Sequence, residues 1–330
     1  MDRFEIVTPA DLPAAVRLLA QPGHMALAGG VDTLDLLKQQ IVAPRTLVDL
    51  NGLKKLQGID AAPDGALRLG ALVRLSDVAA HPVVRARFAA LAEAAGEAAT
   101  PQIRNLGTVG GNLLQRPRCW YFRNPDVVCL KKGGHICYAI NGLNRYHAIL
   151  GGGPSFIVHP SNLAPALIAF GASVRTAAPG GERKLVLDQF FALPSVDPTR
   201  ENVLQPGEIV VEVVVPAPAA SAQSAYLEVR EKQSFDWPLV SVAAMLEIDP
   251  RSKKIHRSNV VLGAVAPIPW RSREAEQALG GAVLDRALAA SAGEAALRDA
   301  RPLPHHAYKV AIARALVRRA VLRAGQVEDV

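Results

Sequence analysis

Between Gln102 and Asn112 the chain reads Gln-Ile-Arg-Asn-Leu-Gly-Thr-Val-Gly-Gly-Asn, with three glycines in five positions. An ordinary strand or helix does not tolerate that run. Without Cβ the main chain can turn at positive φ, and its N–H groups can press close to a neighbour. Successive exposed N–H groups make a concave cradle for an anion, and Thr108 and Asn112 add side-chain donors. A second glycine turn stands upstream, at Ala28-Gly29-Gly30-Val31-Asp32-Thr33-Leu34. Two such turns point to one extended ligand bearing phosphates, against the plainer reading of two tight turns.

The upstream turn follows a short apolar run, Met25–Ala28, and leads into a helical period from Asp32 to Lys38. That is strand, turn and helix, with the helix start aimed at whatever the turn holds. It is not G-x-G-x-x-G, so a Rossmann nicotinamide site is not supported. Before it, Thr8-Pro9-Ala10-Asp11 opens a helix to about Ala20. Strands are predicted at Thr46–Leu50 and Leu67–Ala71, and helices open at Ser76 and at His81-Pro82, the latter running to about Ala99. A helix over Ala164–Phe170 and a strand over Ala172–Arg175 lead to Pro179-Gly180-Gly181, predicted as a turn and a hinge between domains. Strands then dominate, at Glu208–Val215, Ala225–Arg230, Leu239–Ile248 and Lys254–Val265. Helices close the chain, around Arg273–Leu279, Leu284–Leu297 and Tyr308–Arg323. The whole reads as α+β in two domains, 1–180 and 185–330, the first dividing near residue 60 and carrying an irregular stretch over 116–160.

At 330 residues, half of them hydrophobic, such domains can bury real cores. No run of about 18 apolar residues suggests a membrane span. Met1–Glu5 has no signal-peptide core. The formal charge of +7 invites a nucleic-acid reading, but the basic residues are dispersed and no Lys/Arg cluster is interleaved with aromatics, so none is expected. Arg314, Arg318, Arg319 and Arg323 read as the solvated face of a helix whose Val310, Ala313, Leu316, Val317, Ala320 and Val321 turn inward, with docking to an acidic partner as the sharper alternative. Three cysteines argue against a disulfide framework and for a reducing compartment, by default the cytoplasm.

Those cysteines, Cys119, Cys129 and Cys137, all fall in the irregular stretch, separated by nine and seven residues. This is neither zinc-knuckle nor compact ferredoxin spacing. Arg118, Lys131 and Lys132 beside them favour thiolates. A long structureless loop needs something to hold it, which a metal cluster would do. Zinc on three cysteines and one of His135, His147 or His159, or three unrelated thiols, are the other readings. No Ser-His-Asp set and no H-E-x-x-H motif points to hydrolysis, and no catalytic residue is named.

Together these segments resemble the FAD-binding medium subunit of the molybdenum hydroxylases, the family of xanthine dehydrogenase, aldehyde oxidoreductase and CO dehydrogenase. The resemblance rests on Ala28-Gly29-Gly30 with Asp32 and Leu34, and on Gln102–Asn105 running into Thr108–Asn112. His159-Pro160-Ser161, Pro206–Ile209 and Leu239–Ala244 fit as well, so it spans nearly the whole chain. It implies two α/β subdomains clasping FAD, of the vanillyl-alcohol-oxidase (PCMH) type, and a C-terminal flavoprotein domain of antiparallel sheet and helices. It implies cofactor contacts at Ala28 through Leu34 and at Thr108, Gly110, Gly111 and Asn112. Two departures stand out. Asn162 replaces the family's usual Asp after Pro-Ser, and Glu228 replaces its common Lys, for which Lys232 is a substitute. The stretch from Arg118 to Ala148 resembles an insertion that carries an extra [4Fe–4S] cluster on four cysteines. Cys119, Cys129 and Cys137 match, but Ser155 stands in the fourth place. A cluster here therefore takes Ser155, a histidine or water at one iron, drops that iron, or is absent.

The function implied is a FAD-bearing electron-transfer subunit. A large molybdenum-cofactor subunit oxidises an aldehyde or N-heterocycle, and a small [2Fe–2S] subunit passes the electrons on. The competing readings are a self-contained flavin oxidase of the same fold, and a scaffold whose glycine turns bind no nucleotide.

Overall fold

The computed structural model describes residues 2–232 and 234–329. The first unit is a small parallel sheet in the order β1-β3-β2, built from β1 (Glu5–Val7), β2 (His24–Leu27) and β3 (Thr46–Asp49). Helix α1 (Leu12–Leu19) begins at Asp11, whose carboxylate accepts the Ala14 N–H at 2.7 Å, and Pro13 suits the first turn. Helix α2 (Thr33–Lys38) follows the upstream glycine turn.

The chain then passes through β4 (Ile59–Ala61) and β5 (Leu67–Gly70) into helices α3 (Leu75–Ala80), α4 (Pro82–Arg87) and α5 (Ala89–Glu97). The single helix predicted from His81 to Ala99 breaks at Phe88, at φ −129°, where the ring turns inward onto Phe170, 5.2 Å between centroids. Short helices α6 (Pro101–Arg104) and α7 (Val109–Leu113) carry the central glycine stretch. Residues 116–160 hold only one helical turn, α8 (Trp120–Arg123), and a 3-10 turn over Leu130–Lys132, as their composition predicts.

Helix α9 (Leu163–Ala169) leads into β6 (Ser173–Ala178) and β7 (Gly181–Val186). The predicted hinge at Pro179–Gly181 is the turn of this hairpin, with Gly181 at φ +117°. Strand β8 (Ile209–Val215), predicted among the C-terminal strands, lies between β5 and β6, giving the order β4-β5-β8-β6-β7. The sheet therefore continues past residue 185. The reason is hydrophobic: Val210, Val213 and Val215 complete the core of Leu67, Leu69 and Val174, while Ile209 and Val211 face the first unit's Val16 and Val48.

The last unit is an antiparallel sheet, β12-β11-β10-β9, made of β9 (Ala222–Val229), β10 (Val240–Ile248), β11 (Ile255–Gly263) and β12 (Trp270–Arg271). Helices α10 (Arg273–Leu279), α11 (Arg286–Ala296) and α12 (Tyr308–Ala324) share its core. The arginines of α12 pair within the chain, Arg314 with Glu294, Arg318 and Arg319 with Asp329, and Arg323 with Glu93. Among the described residues no helix is long and apolar enough to cross a membrane.

Candidate functional site

The upstream turn carries Gly30 at φ +74°, and a Cβ on Gly29 would lie 1.8 Å from the carbonyl oxygen of Leu106. The two glycine stretches thus touch backbone to backbone. Past the turn, Leu34 N–H donates to Gly30 O at 2.9 Å, but the amides of Gly29, Gly30, Val31, Asp32 and Thr33 have no acceptor among the described residues. Five consecutive half-buried residues whose N–H groups lack a partner among the described residues are candidates for holding an oxyanion. Ala28 O is held from below by Asn51 Nδ2 at 2.9 Å, and the Leu34 side chain is exposed.

The downstream turn is built differently. Val109 and Gly110 N–H donate to Val73 O and Ala71 O, each at 2.8 Å, and Thr108 Oγ1 caps α7 by accepting Gly111 N–H at 3.1 Å. A Cβ on Gly110 would meet Ala71 O at 3.0 Å. The amides read as an anion cradle are therefore used inside the protein, where they lock α7 onto the segment that follows β5. Asn112 is also engaged: its Oδ1 accepts Ser161 Oγ–H at 2.6 Å and Leu163 N–H at 3.2 Å.

From there a polar seam crosses to the C-terminal sheet. Glu228 Oε2 accepts from Asn162 Nδ2 at 3.0 Å and from Tyr226 OH at 2.8 Å. Glu228 Oε1 ion-pairs with Arg230 without a hydrogen bond of good geometry. Burial raises the Glu228 carboxyl above the ordinary carboxylate range, against the pull of Tyr226 and Arg230. Lys232 is exposed after β9 and makes none of these contacts; Arg230 is the cation that reaches the seam. The sequence assigns Arg230 no role by motif, and its only signal is its place two residues after Glu228 in the predicted strand Ala225–Arg230.

Asp32, read as a cofactor contact, spends its carboxylate elsewhere. Arg116 N–H reaches Oδ2 at 2.7 Å, while Arg123 Nη2, at 2.8 Å, and Arg118 Nη1 share Oδ1. Arg123 Nη1 also holds Asp35 Oδ2 at 3.0 Å. The cysteine stretch is thereby bolted to α2, and Leu36, Phe122 and Cys129 share a small core behind it.

The three cysteines come together. Cys119, Cys129 and Cys137 line one cavity of about 10 Å³ with Ser155, Lys131 and Tyr138. That is room for roughly one water. Burial pushes the Cys119 thiol up to about 11. The cations expected to favour thiolates point elsewhere: Lys131 Nζ to Glu201 at 2.8 Å, Arg118 to Asp32, and Lys132 Nζ to Asn124 O at 2.5 Å. His147 Nε2 lies 3.2 Å from Cys119 Sγ. Burial lowers that imidazole to about 4, so it is neutral at pH 7. Among the described residues no group of three or more His, Cys, Asp or Glu is arranged to hold a single metal ion.

Residues 2–218 match the FAD binding domain in molybdopterin dehydrogenase, and residues 224–324 match the CO dehydrogenase flavoprotein C-terminal domain. The chain belongs to the molybdopterin dehydrogenase flavoprotein family. The aldehyde oxidoreductase FAD-binding subunit PaoB of Escherichia coli K12 is 37% identical over 272 residues, 81% of this chain and 83% of that one. The carbon monoxide dehydrogenase medium chain of Hydrogenophaga pseudoflava is 28% identical over 326 residues, 97% and 96% of the two chains. In three dimensions the chain matches a solved carbon monoxide dehydrogenase chain from the same organism with a TM-score of 0.78, covering 98% and 97%. Quinoline 2-oxidoreductase from Pseudomonas putida 86 gives 0.76 at 25% identity, over 98% of each chain. The two-domain flavoprotein fold implied by the resemblance is the one found, and the chain is an FAD-binding subunit of an oxidoreductase of this family.

Proposed function

We propose that this member of the family carries electrons through FAD for a heterotrimeric molybdenum hydroxylase acting on an aldehyde or N-heterocycle. A large subunit with the molybdenum cofactor oxidises the substrate, and a small [2Fe–2S] subunit delivers electrons to this chain, which passes them to an external acceptor. The observation that carries this reading is the row of five amides at Gly29–Thr33 without a partner among the described residues. It accepts the FAD diphosphate through main chain alone, with Ala28 and Leu34 at its ends. Thr108, Gly110, Gly111 and Asn112 hold the adjoining backbone rigid, and the seam of Asn162, Tyr226, Glu228 and Arg230 is assigned to the flavin end. FAD, when bound, supplies the electron-transfer chemistry itself. The chain's part is to hold it and keep water from it.

The cysteine cavity, which must widen from its present one-water volume, is assigned to an iron–sulfur cluster, with Cys119, Cys129 and Cys137 as ligands and Ser155 Oγ in the fourth position. In a multi-iron cluster each thiolate serves a different iron, so the ligands need not converge as they do on one ion. Support comes from all four side chains lining one cavity, with Ser155 2% exposed. The cytoplasm is the compartment that suits free thiols.

Purification of the full chain with its partner subunits tests the whole. Flavin absorbance, FAD released on denaturation and two co-purifying subunits are expected. A colourless chain that cannot be reconstituted with FAD overturns the reading. Substrate turnover by the chain alone would favour the self-contained oxidase.

A further inference from the structure

We infer that Arg118 and Arg123 are charge-cancelling positioning residues for the cofactor, without which the glycine turn would repel the diphosphate it is built to hold. The inference rests on the assignment of the FAD diphosphate to Gly29–Thr33. That turn contains an acidic side chain, Asp32, and a second, Asp35, follows one turn later in α2. A carboxylate within the same few residues as a bound diphosphate opposes it, because like charges at short range in a half-buried site are poorly screened.

Here both carboxylates are neutralised from one source. Asp32 Oδ1 takes Arg118 and Arg123, Asp32 Oδ2 takes the Arg116 amide at 2.7 Å, and Asp35 Oδ2 takes Arg123 at 3.0 Å and Arg118 at 3.6 Å. The side chains of Arg118, Arg123 and Asp32 are only 17%, 9% and 15% exposed, so salt and water screen the Asp32 pairs little, whereas Asp35, at 44%, is screened more. Arg118 is further fixed by the Trp237 ring, 5.0 Å from its guanidinium carbon, and by Gln115 Oε1 at 3.3 Å. Within this cluster the two carboxylates are matched by two guanidinium groups. The free amides then set the field the diphosphate meets. The segment that carries the first cysteine thus also prepares the flavin turn.

The test is an FAD titration of flavin-stripped full-length protein, followed by flavin fluorescence, for wild type, Arg118→Met, Asp32→Asn and the double variant. Arg118→Met is expected to weaken FAD roughly tenfold or more, since it leaves a half-buried carboxylate short of its partner. Asp32→Asn supplies the reference against which the double variant is measured. The double variant is expected to recover most of what Arg118→Met loses, which a purely structural role for Arg118 would not produce. Should Arg118→Met fail to fold, Arg118→Gln, which keeps hydrogen-bonding groups and removes the charge, takes its place in the same cycle. Two results overturn the inference: Arg118→Met binding as tightly as wild type, or a double variant as weak as Arg118→Met. Gly30→Val separates the two levels. If it keeps FAD, the assignment of the diphosphate to this turn fails; if it loses FAD while Arg118→Met keeps it, the charge-cancelling role alone fails.

Discussion

Gly29 and Asn112 show how much a single position carries. Gly29 lets the two glycine stretches meet, since any Cβ there would sit 1.8 Å from Leu106 O. Gly29→Ala is therefore expected to drive the turns apart and abolish FAD retention, read as loss of flavin absorbance in protein that still folds by circular dichroism. A Gly29→Ala protein holding its full flavin complement would contradict the packing. Asn112 receives the Ser161 hydroxyl and the Leu163 amide, all three groups buried. Asn112→Ala leaves both donors without that acceptor and is expected to destabilise by about 1–3 kcal/mol. Chemical denaturation checks this, and Asn112→Asp, which keeps the acceptor, should recover part of it.

At the scale of elements the cysteine stretch is the instructive one. It has almost no regular structure, so its shape comes from what it grips: Asp32 and Asp35 through Arg118 and Arg123, and Glu201 through Arg116 and Lys131. Its far end is held by Lys309 of α12, whose Nζ donates to His147 O at 3.1 Å and Ala264 O at 2.6 Å. If the cavity takes a cluster, Ser155→Cys completes a four-thiol set and should raise iron and sulfide per chain and resist loss of one iron under oxidation. Cys129→Ala should lower both. Iron analysis and electron paramagnetic resonance of anaerobically prepared protein distinguish these outcomes, and equal iron in all three proteins would sink the assignment.

Over the whole molecule, burial without acidic partners leaves several basic groups hard to protonate. Burial pushes His159 down to about 3, His306 to about 4 and Lys309 to about 7. As pH falls from 6.5 towards 4, the unfolded chain takes up protons that folded His159 and His306 refuse, so stability drops through that window. Lys309 acts in the same direction from 10.5 down to about 7. The melting temperature is expected to fall on acidification from neutral pH, and His306→Gln should flatten the fall. A melting temperature constant over that range would refute the linkage. Lys309 and His306 tie the cysteine stretch to the C-terminal domain, while Glu93 of α5 joins the second unit to the same domain through Tyr226 N–H, at 2.7 Å, and Arg323.

Local chemistry was enough to read the strand, turn and helix around Gly29, most of the C-terminal strands and helices, and the structureless cysteine stretch. Periodicity, caps and glycines act within a few residues, and there the chain obeyed them. Three matters were decided only when distant segments met. Strand β8 entered the second sheet because its two faces complete two cores, which no window of sequence reveals. The downstream amides were taken by Val73 O and Ala71 O, a partnership between segments about 35 residues apart. Asp32 and Asp35 met Arg118 and Arg123, more than 80 residues away, in one charge-matched cluster. Backbone preference is local, but hydrogen-bond supply and charge balance are settled by whatever the fold brings alongside.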